Sequence, residues 1–297
     1  MVRYEILVAA AAVTVLAGCR NDIDFDACGQ IDAEQVTVSA EASGRILSLN
    51  VREGDVLNAG QMVGAVDSVQ TSLQIRELEQ RRDGARSRLI DIDRQQAPQK
   101  DQLANLENDF RRYSSLLANN AATQKQVDDL RSQIDILKSQ MAAQKQTWER
   151  NNSSVRSEIS TYEIQIAEKR DQLAKCRICS PVAGTVLTKY ANEGESVTVG
   201  KPLFKLADLA ETYVRAYFTT SQLATLKLGD DLKVIPDDGS ANPKEYTGRV
   251  IWISSQAEFT PKDIQTRDER AELVYAVKVA VPNDGSLRLG MYAYVRK

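Results

Sequence analysis

Two cysteines, Cys176 and Cys179, have the C-x-x-C spacing that is used in metal sites and in thiol–disulfide exchange. A structural zinc site needs four ligands, but the chain has only two other cysteines, both distant in sequence, and no histidine. A redox motif of the thioredoxin type lies in a strand–helix–strand unit, and no such pattern surrounds this pair. Both thiols are therefore interpreted as structural, and the sequence leaves open whether they form a disulfide.

The composition removes most routes to catalysis. Without histidine, the chain has no serine–histidine or cysteine–histidine nucleophile pair. Residues 194–201 superficially resemble a phosphate-binding loop, but the glycine spacing is one residue too long and Pro202 stands where Ser or Thr is required. A formal net charge of −3 and the lack of a basic run give no basis for nucleic-acid binding. We expect no catalytic residue, no metal and no cofactor.

Residues 1–18 are predicted to be a lipoprotein signal peptide. Arg3 precedes an apolar run over residues 6–17, which is too short to span a bilayer. The run ends in small residues directly before Cys19, as in the bacterial lipobox. Cys19 is then the lipidated first residue of the mature chain, and residues 19–34 form its tether. The alternative is an ordinary secretory signal that happens to contain this cysteine.

A short stretch of the sequence occurs twice. Residues 44–60 resemble residues 184–200 at a constant offset of 140 positions. Both copies have short strand-like segments and glycines typical of turns, where a positive φ is needed. The matched glycines, all assigned to turns, are Gly44 and Gly184, Gly54 and Gly194, and Gly60 and Gly200. Neither copy can close a core alone, so we predict one β-sandwich made of residues 35–68 and 178–208.

The residues between the copies, 69–177, have the apolar period of helices. Two heptad runs flank a polar turn near residues 118–124, which predicts an antiparallel coiled-coil hairpin with arms of about 48 residues, or about 70 Å. Thr123 is predicted to cap the second arm. Pro98 is predicted to kink or break the first arm, and the heptad phase of the second arm slips near residues 151–154.

The rest of the chain returns to short strands. Residues 209–297, with a strand from about residues 28–38, are predicted to form an antiparallel β-barrel. The predicted fold class is therefore multidomain α+β: a split β-sandwich, an inserted antiparallel helical hairpin and a C-terminal β-barrel.

The paired glycine-turn halves resemble a lipoyl or biotinyl domain that is split in two. In carrier domains of that kind a lysine lies on the turn between the halves, but residues 67–69 hold none, which disfavours a biotin or lipoate carrier. A split lipoyl-like domain with a helical hairpin and a following barrel resembles the HlyD-type membrane fusion proteins, the periplasmic adaptors of tripartite exporters. The resemblance covers nearly everything after Cys19. A purely structural coiled-coil envelope protein is a further alternative, which leaves the repeat unexplained.

The predicted hairpin turn sharpens the resemblance. In that family, the tip that docks on TolC-like outer-membrane channels carries an arginine, a leucine four residues later and a serine seven residues beyond. This chain has Arg112, Leu116 and, in place of the serine, Thr123, with Asp128 where an acidic residue is common. The resemblance implies that Arg112 donates to carbonyls or carboxylates of the channel and that Leu116 fills an apolar notch. The structural alternative is a core leucine, a solvated arginine and a capping threonine.

The resemblance also implies partners and a location. It implies a non-enzymatic adaptor in the periplasm of a Gram-negative bacterium, lipid-anchored to the inner membrane, that links an inner-membrane transporter to an outer-membrane channel for efflux or secretion. It further implies a hexameric ring with the hairpins side by side. Residues 257–275 resemble adaptors that are paired with ABC transporters, and the chain ends soon afterwards. Both features favour an ABC transporter over the alternative of a proton-driven pump, and the exported substrate cannot be inferred.

Overall fold

The structure is a computed structural model that describes residues 25–240, 242–259 and 273–297. The predicted signal peptide and Cys19 lie outside the described residues. In chain order, the strands and helices are β1 Ala27–Ser39, β2 Gly44–Leu49, β3 Val56–Leu57, β4 Met62–Val66, α1 Val69–Arg86, α2 Ile92–Ala118, α3 Gln124–Lys175, β5 Arg177–Cys179, β6 Gly184–Lys189, β7 Ser196–Val197, β8 Pro202–Thr219, α4 Thr220–Leu223, β9 Asp231–Pro236, β10 Tyr246–Phe259, β11 Leu273–Pro282 and β12 Tyr292–Arg296.

The two copies of the repeat are joined by backbone hydrogen bonds that occur in symmetric pairs. The N–H of Gly54 donates to the carbonyl of Val186 (2.8 Å), and the N–H of Gly194 donates to the carbonyl of Ile46 (2.9 Å). Each partner in the second bond lies 140 positions from its counterpart in the first. Three further pairs of bonds are related by the same offset. They run from the N–H of Val186 to Asp55 and of Ile46 to Glu195, of Gly60 to Ser180 and of Gly200 to Ala40, and of Ser180 to Gln61 and of Ala40 to Lys201. Each copy therefore satisfies backbone groups that the other would leave unpaired.

Strand pairing completes the sandwich. β2 pairs with β7, β3 with β6 and β4 with β5, and each of these three pairings joins one half to the other. Ala65 lies opposite Arg177, so the two ends of the helical segment are neighbours. The shared core contains apolar side chains from both halves, among them Ile46, Leu49, Val51, Leu57, Val63, Val66, Ile178, Val186, Leu203, Phe204 and Leu206. Burial of each large side chain contributes about 1.5–3 kcal/mol.

Four of the six matched glycines lie in turns with positive φ: Gly54 (92°), Gly60 (75°), Gly194 (87°) and Gly200 (88°). The assignment of the other two to turns was wrong, because Gly44 and Gly184 are the first residues of β2 and β6. A Cβ on Gly184 would lie 2.7 Å from the carbonyl oxygen of Ala207, and a Cβ on Gly44 would lie 2.8 Å from Cγ1 of Val66. These two glycines allow a close approach of neighbouring chain segments.

The long helices form an antiparallel hairpin. α1 and α2 ascend, and both pack against α3, a single descending helix of 52 residues. The turn lies between Ala118 and Gln124, as predicted. The apolar residues of the predicted heptad runs are buried or half-buried; those that are buried are Ile75, Ala85, Val127, Ile134, Leu137, Ile159 and Ile166. None of the described helices is long and apolar enough to cross a bilayer.

The predicted break at Pro98 was wrong. Pro98 lies inside α2, and the ascending arm is interrupted instead at residues 87–91. Proline removes one helical N–H, but the helix continues past it. The interruption ends at Asp91, whose side chain accepts a hydrogen bond from the N–H of Arg94 (3.2 Å) and so caps α2.

Six strands are hydrogen-bonded in a ring beside the sandwich. β1 pairs with β12, β12 with β9, β9 with β10, β10 with β11, β11 with β8, and β8 with β1. The ring encloses a second apolar core that includes Ile31, Val214, Ala216, Phe218, Val234, Val277, Val279 and Val295. β1 and β8 pair along residues 28–33 in the ring and along residues 35–39 in the sandwich. The predicted domain boundaries at residues 35 and 208 therefore fall inside the continuous strands β1 and β8.

Candidate docking surface at the hairpin tip

The tip begins where α2 ends in a left-handed residue. Asn120 has φ +58°, and asparagine tolerates this conformation better than most residues with a side chain. Its N–H donates to the carbonyl of Leu117 (2.9 Å), and the N–H of Ala121 donates to the carbonyl of Leu116 (2.8 Å). This pair of bonds is a Schellman motif, which satisfies carbonyls at the helix end and fixes the direction of the turn.

The descending helix begins with a capping box. Thr123 has an extended backbone, and its hydroxyl accepts a hydrogen bond from the N–H of Gln126 (3.4 Å). The side-chain carbonyl of Gln126 accepts from the N–H of Thr123 (2.9 Å) and from its hydroxyl (3.1 Å). The arrangement satisfies amides that the helix start would leave free. The structure thus confirms Thr123 as the N-cap and shows its hydroxyl proton engaged within its own turn.

Arg112 and Leu116 are four residues apart on α2, so they share one face of the helix. The Arg112 side chain is 66% exposed; its guanidinium pairs with Asp109 at 3.0 Å and lies 5.4 Å from the ring centre of Tyr113. Leu116 is 38% exposed, whereas Leu117 is half-buried. The structural alternative of a core leucine at position 116 is therefore wrong. This face presents a cation and, one turn closer to the tip, an apolar side chain.

Asp128 is exposed on the second turn of α3, where it accepts a hydrogen bond from Nε2 of Gln124 (3.0 Å). Among the hydrogen bonds and ion pairs of the described tip, none joins two of the four residues predicted to dock. Arg112 and Asp128 each pair with a residue of their own helix. All four residues are exposed on the last turns of α2 or at the start of α3, at the end of the hairpin.

Three residues that shape this surface were missed in the sequence. Asp109 and Tyr113 hold the guanidinium of Arg112, and Gln126 completes the capping box. Two signals were available. Opposite charges at i and i+3 on a predicted helix indicate an ion pair, and threonine followed three residues later by glutamine is the pattern of a capping box.

The fold places the two thiols of the C-x-x-C pair in different surroundings. Cys176 and Cys179 are both free thiols; the first is buried in the sandwich core, and the second lies on β5 opposite Met62. The strand backbone between them separates their Cα atoms by about 9 Å, whereas a disulfide needs less than about 7 Å. Burial raises the pKa of the Cys176 thiol, which keeps it protonated and unreactive. The described residues contain no group of three or more potential metal ligands.

Membrane fusion proteins share this architecture: a β-sandwich closed at the base of a long helical hairpin, with strands that continue into a second β-domain. MacA from Actinobacillus actinomycetemcomitans has a TM-score of 0.60 at 19% identity, with 91% of this chain and 76% of that chain covered. The membrane fusion protein Spr0693 from Streptococcus pneumoniae R6 has a TM-score of 0.53 at 16% identity, with 91% and 96% covered. At these identities the likeness shows the fold alone.

The family model for the RND membrane fusion protein barrel-sandwich hybrid domain matches residues 34–208. Because this range is more than half of the chain, the protein belongs to the RND-type membrane fusion protein family. Members of this family are non-enzymatic periplasmic adaptors of tripartite efflux systems, acting with inner-membrane transporters and outer-membrane channels. The adaptor class that the sequence predicted is thus confirmed, and the type of transporter stays a prediction.

Two curated relatives span almost the whole chain. The UPF0194 membrane protein YPTB1212 of Yersinia pseudotuberculosis serotype I (strain IP32953) is 28% identical over 326 residues, with 100% of this chain and 99% of the relative covered. The UPF0194 membrane protein YbhG of Salmonella typhi is 27% identical over 320 residues, with 98% and 95% covered.

The role of Thr123 as a cap can be tested by substitution. Thr123→Ala removes both hydroxyl contacts, so it should destabilise the first turn of α3 by about 1 kcal/mol and accelerate amide exchange there about fivefold. Thr123→Ser keeps the hydroxyl and should exchange within about twofold of the wild type. Hydrogen–deuterium exchange of residues 124–127 measures this directly. Unchanged exchange in Thr123→Ala would show that the hydroxyl does not cap the helix.

Proposed function

We propose that this chain links an inner-membrane transporter to a TolC-like outer-membrane channel, and that it docks on the channel through the tip of its hairpin. The observation that carries the proposal is the exposure of Arg112 and Leu116 on one face of α2 at the end of the hairpin. The family membership supplies the general role of an adaptor, and these two side chains supply a surface for one of its partners.

The chemistry of the tip supports docking. The Arg112 guanidinium presents a planar set of donors that matches carbonyl and carboxylate groups. Its ion pair with Asp109 is exposed, and such pairs contribute at most about 1 kcal/mol, so a group of the channel can replace Asp109 at little cost. Leu116 would bury apolar surface on contact, with a gain of about 2 kcal/mol when fully covered. Asp128 adds an exposed acceptor on α3.

The two caps of the tip support the same function. The Schellman motif around Asn120 and the capping box of Thr123 fix the turn in one conformation before any partner binds. A pre-ordered surface loses less conformational entropy on association than a flexible one. Thr123 therefore contributes to docking by ordering the tip, while Arg112 and Leu116 make the contacts.

We assign the inner-membrane partner to the ABC class, with a proton-driven pump as the second candidate. The resemblance of residues 257–275 to ABC-paired adaptors supports the ABC class. The match of residues 34–208 to the RND membrane fusion protein family favours the proton-driven pump. Phe259 and Leu273, which are partners across β10 and β11, are 75% and 53% exposed and could contact a transporter. Purification of the crosslinked complex from membranes and identification of the transporter by mass spectrometry decides between the two classes.

We further propose that Cys19 carries lipid that holds the chain at the inner membrane and that six copies form a ring with their hairpins side by side. The small residues before Cys19 support the lipid anchor. The ring rests on the family resemblance of the sandwich and hairpin.

Reversal of one charge at the tip should prevent docking. In cells that carry a photo-crosslinking residue at Ala121, Arg112→Asp should lower the yield of crosslinks to the outer-membrane channel at least about tenfold, because a central interface arginine often contributes about 2 kcal/mol or more. The circular dichroism of the variant should be unchanged, since the side chain is 66% exposed.

The neighbouring Arg111 provides the matched control. It is also exposed on α2, but it bonds to Asn108 and lies about 100° further around the helix. Arg111→Asp should retain most of the crosslinking. Equal yields in the two variants, whether both high or both low, would contradict the role of Arg112.

The lipid anchor has a direct test. Cys19→Ala removes the residue that would carry the acyl chains, and stable anchoring depends on two or more such chains. The variant should therefore move from the membrane fraction to the soluble fraction and lack the added mass of the acyl chains. Cys179→Ala, which changes a half-buried free thiol, should fractionate as the wild type does. Membrane fractionation of Cys19→Ala identical to that of the wild type would contradict lipidation.

A further inference from the structure

The ascending arm of the hairpin covers the same height as α3 with fewer residues. Arg86 pairs with Glu163 (3.8 Å) below the interruption, and Gln99 pairs with Gln144 (3.0 Å) above it. Between these two contacts the ascending arm uses 13 residues, whereas α3 uses 19. Six helical residues correspond to about 9 Å. Residues 89–91, which lie between the turn that ends α1 and the start of α2, supply part of that length, because an extended residue rises about 3.3 Å against 1.5 Å in a helix.

One buried side chain fastens this interruption to the opposite arm. Asn152 on α3 is 4% exposed. Its Oδ1 accepts a hydrogen bond from the N–H of Ile90 (2.9 Å), and its Nδ2 donates to the carbonyl of the same residue (2.8 Å). A single amide thus replaces both backbone partners that Ile90 would have in a helix. Because buried polar groups are costly when unpaired, this contact favours one arrangement of the two arms.

The descending helix carries four residues of low helix propensity at the same height. Residues 151–154 read Asn-Asn-Ser-Ser, which are all of low helix propensity. The hydroxyl of Ser157 donates to the carbonyl of Ser153 (3.1 Å), a contact that competes with the helical hydrogen bond and bends helices. The predicted slip of the heptad phase falls on this segment. The ascending arm is thus interrupted at the level where α3, which is helical throughout, carries these four residues.

The contact between the arms directly above this level is polar. Gln96 is 5% exposed and donates through Nε2 to the carbonyl of Met141 (2.9 Å), and Gln99 donates to the side chain of Gln144 (3.0 Å). The heptad frame has no apolar residue between Ile92 and Leu103. Separation of the arms at these amide contacts would expose little apolar surface, whereas separation at the apolar contacts on either side would lose hydrophobic burial. By contrast, the arms below are joined by the buried side chains of Ala85, Ile159 and Ile166.

We propose that this level of the hairpin is a hinge, on which the tip-bearing section, residues 92–150, tilts as a unit relative to the base, and that Asn152 is the latch that holds the hinge closed. Opening requires the loss of two hydrogen bonds to Ile90 and the bending of α3 near residues 151–154, while the apolar contacts on either side are kept. The hinge sets the angle at which the tip is presented. It does not depend on which partner the tip binds.

The test uses the mature full-length chain with spin labels placed through a non-natural amino acid, which leaves the native cysteines unchanged. One label pair, at Gln80 and Asn105, spans the interruption. A reference pair, at Asn105 and Ser139, lies within the tip-bearing section, and all three positions are exposed. Asn152→Ala should broaden the distance distribution of the spanning pair at least about twofold and leave the reference pair unchanged, because only the latch is lost. Asn151→Ala, an exposed asparagine with the same gain in helix propensity, should change neither.

Three results would overturn the proposal: a spanning pair as narrow in Asn152→Ala as in the wild type, broadening of both label pairs, or equal broadening in Asn151→Ala. If Asn152→Ala does not fold, the wild-type protein decides the question through amide exchange within α3. A hinge requires residues 150–156 to exchange at least about tenfold faster than residues 134–140, because local opening precedes exchange. Equal protection of the two segments would show that α3 does not open at this level.

Discussion

The reciprocal backbone hydrogen bonds between the two copies of the repeat hold the rest of the structure in place. The N–H of Gly54 and that of Gly194 each reach a carbonyl of the other copy, at 2.8 and 2.9 Å. Val186 and Ile46, whose carbonyls accept these bonds, are buried. Because a buried backbone group without a partner is costly, neither copy is satisfied without the other. The helical segment between them must therefore return to its starting point, and a hairpin is the simplest path that does so. The fold of the long insert thus follows from the pairing of the short repeats.

The same constraint fixes the reach of the molecule. The base of the hairpin is held by the pairing of β4 with β5, so the tip projects by the length of α3, which is about 78 Å for 52 residues. β1 and β8 continue from the sandwich into the ring of six strands and thereby tie the two β-domains together. A base that is fixed by backbone pairing and a tip that is fixed by two caps are what a connector between distant partners needs.

Much of this architecture could be predicted from the sequence, because its signals are local or repeated. The glycine repeat indicated the sandwich, and the apolar period with its polar turn indicated the hairpin and the cap at Thr123. The position of the interruption could not be predicted in the same way. Pro98 was the strongest local signal for a break. A proline removes one backbone hydrogen bond of a helix, but α2 continues past Pro98. The true interruption at residues 87–91 depends on Asn152, which is 62 residues distant from Ile90. At the tip, the exposure of Leu116 depended on which side of α2 faces α3.

Pairing of the two copies can be measured by a designed crosslink. Val56 and Thr185 are partners across β3 and β6, and the first is 76% exposed. In Val56→Cys with Thr185→Cys, mild oxidation should join the peptides around positions 56 and 185 in most molecules, because partners in a ladder lie about 5 Å apart. Val56→Cys with Val199→Cys, which places the second thiol on an exposed residue that is not a partner in the ladder, should not crosslink within a chain. Failure of the first pair to crosslink in the folded protein would contradict the pairing on which the sandwich, the hairpin and the tip depend.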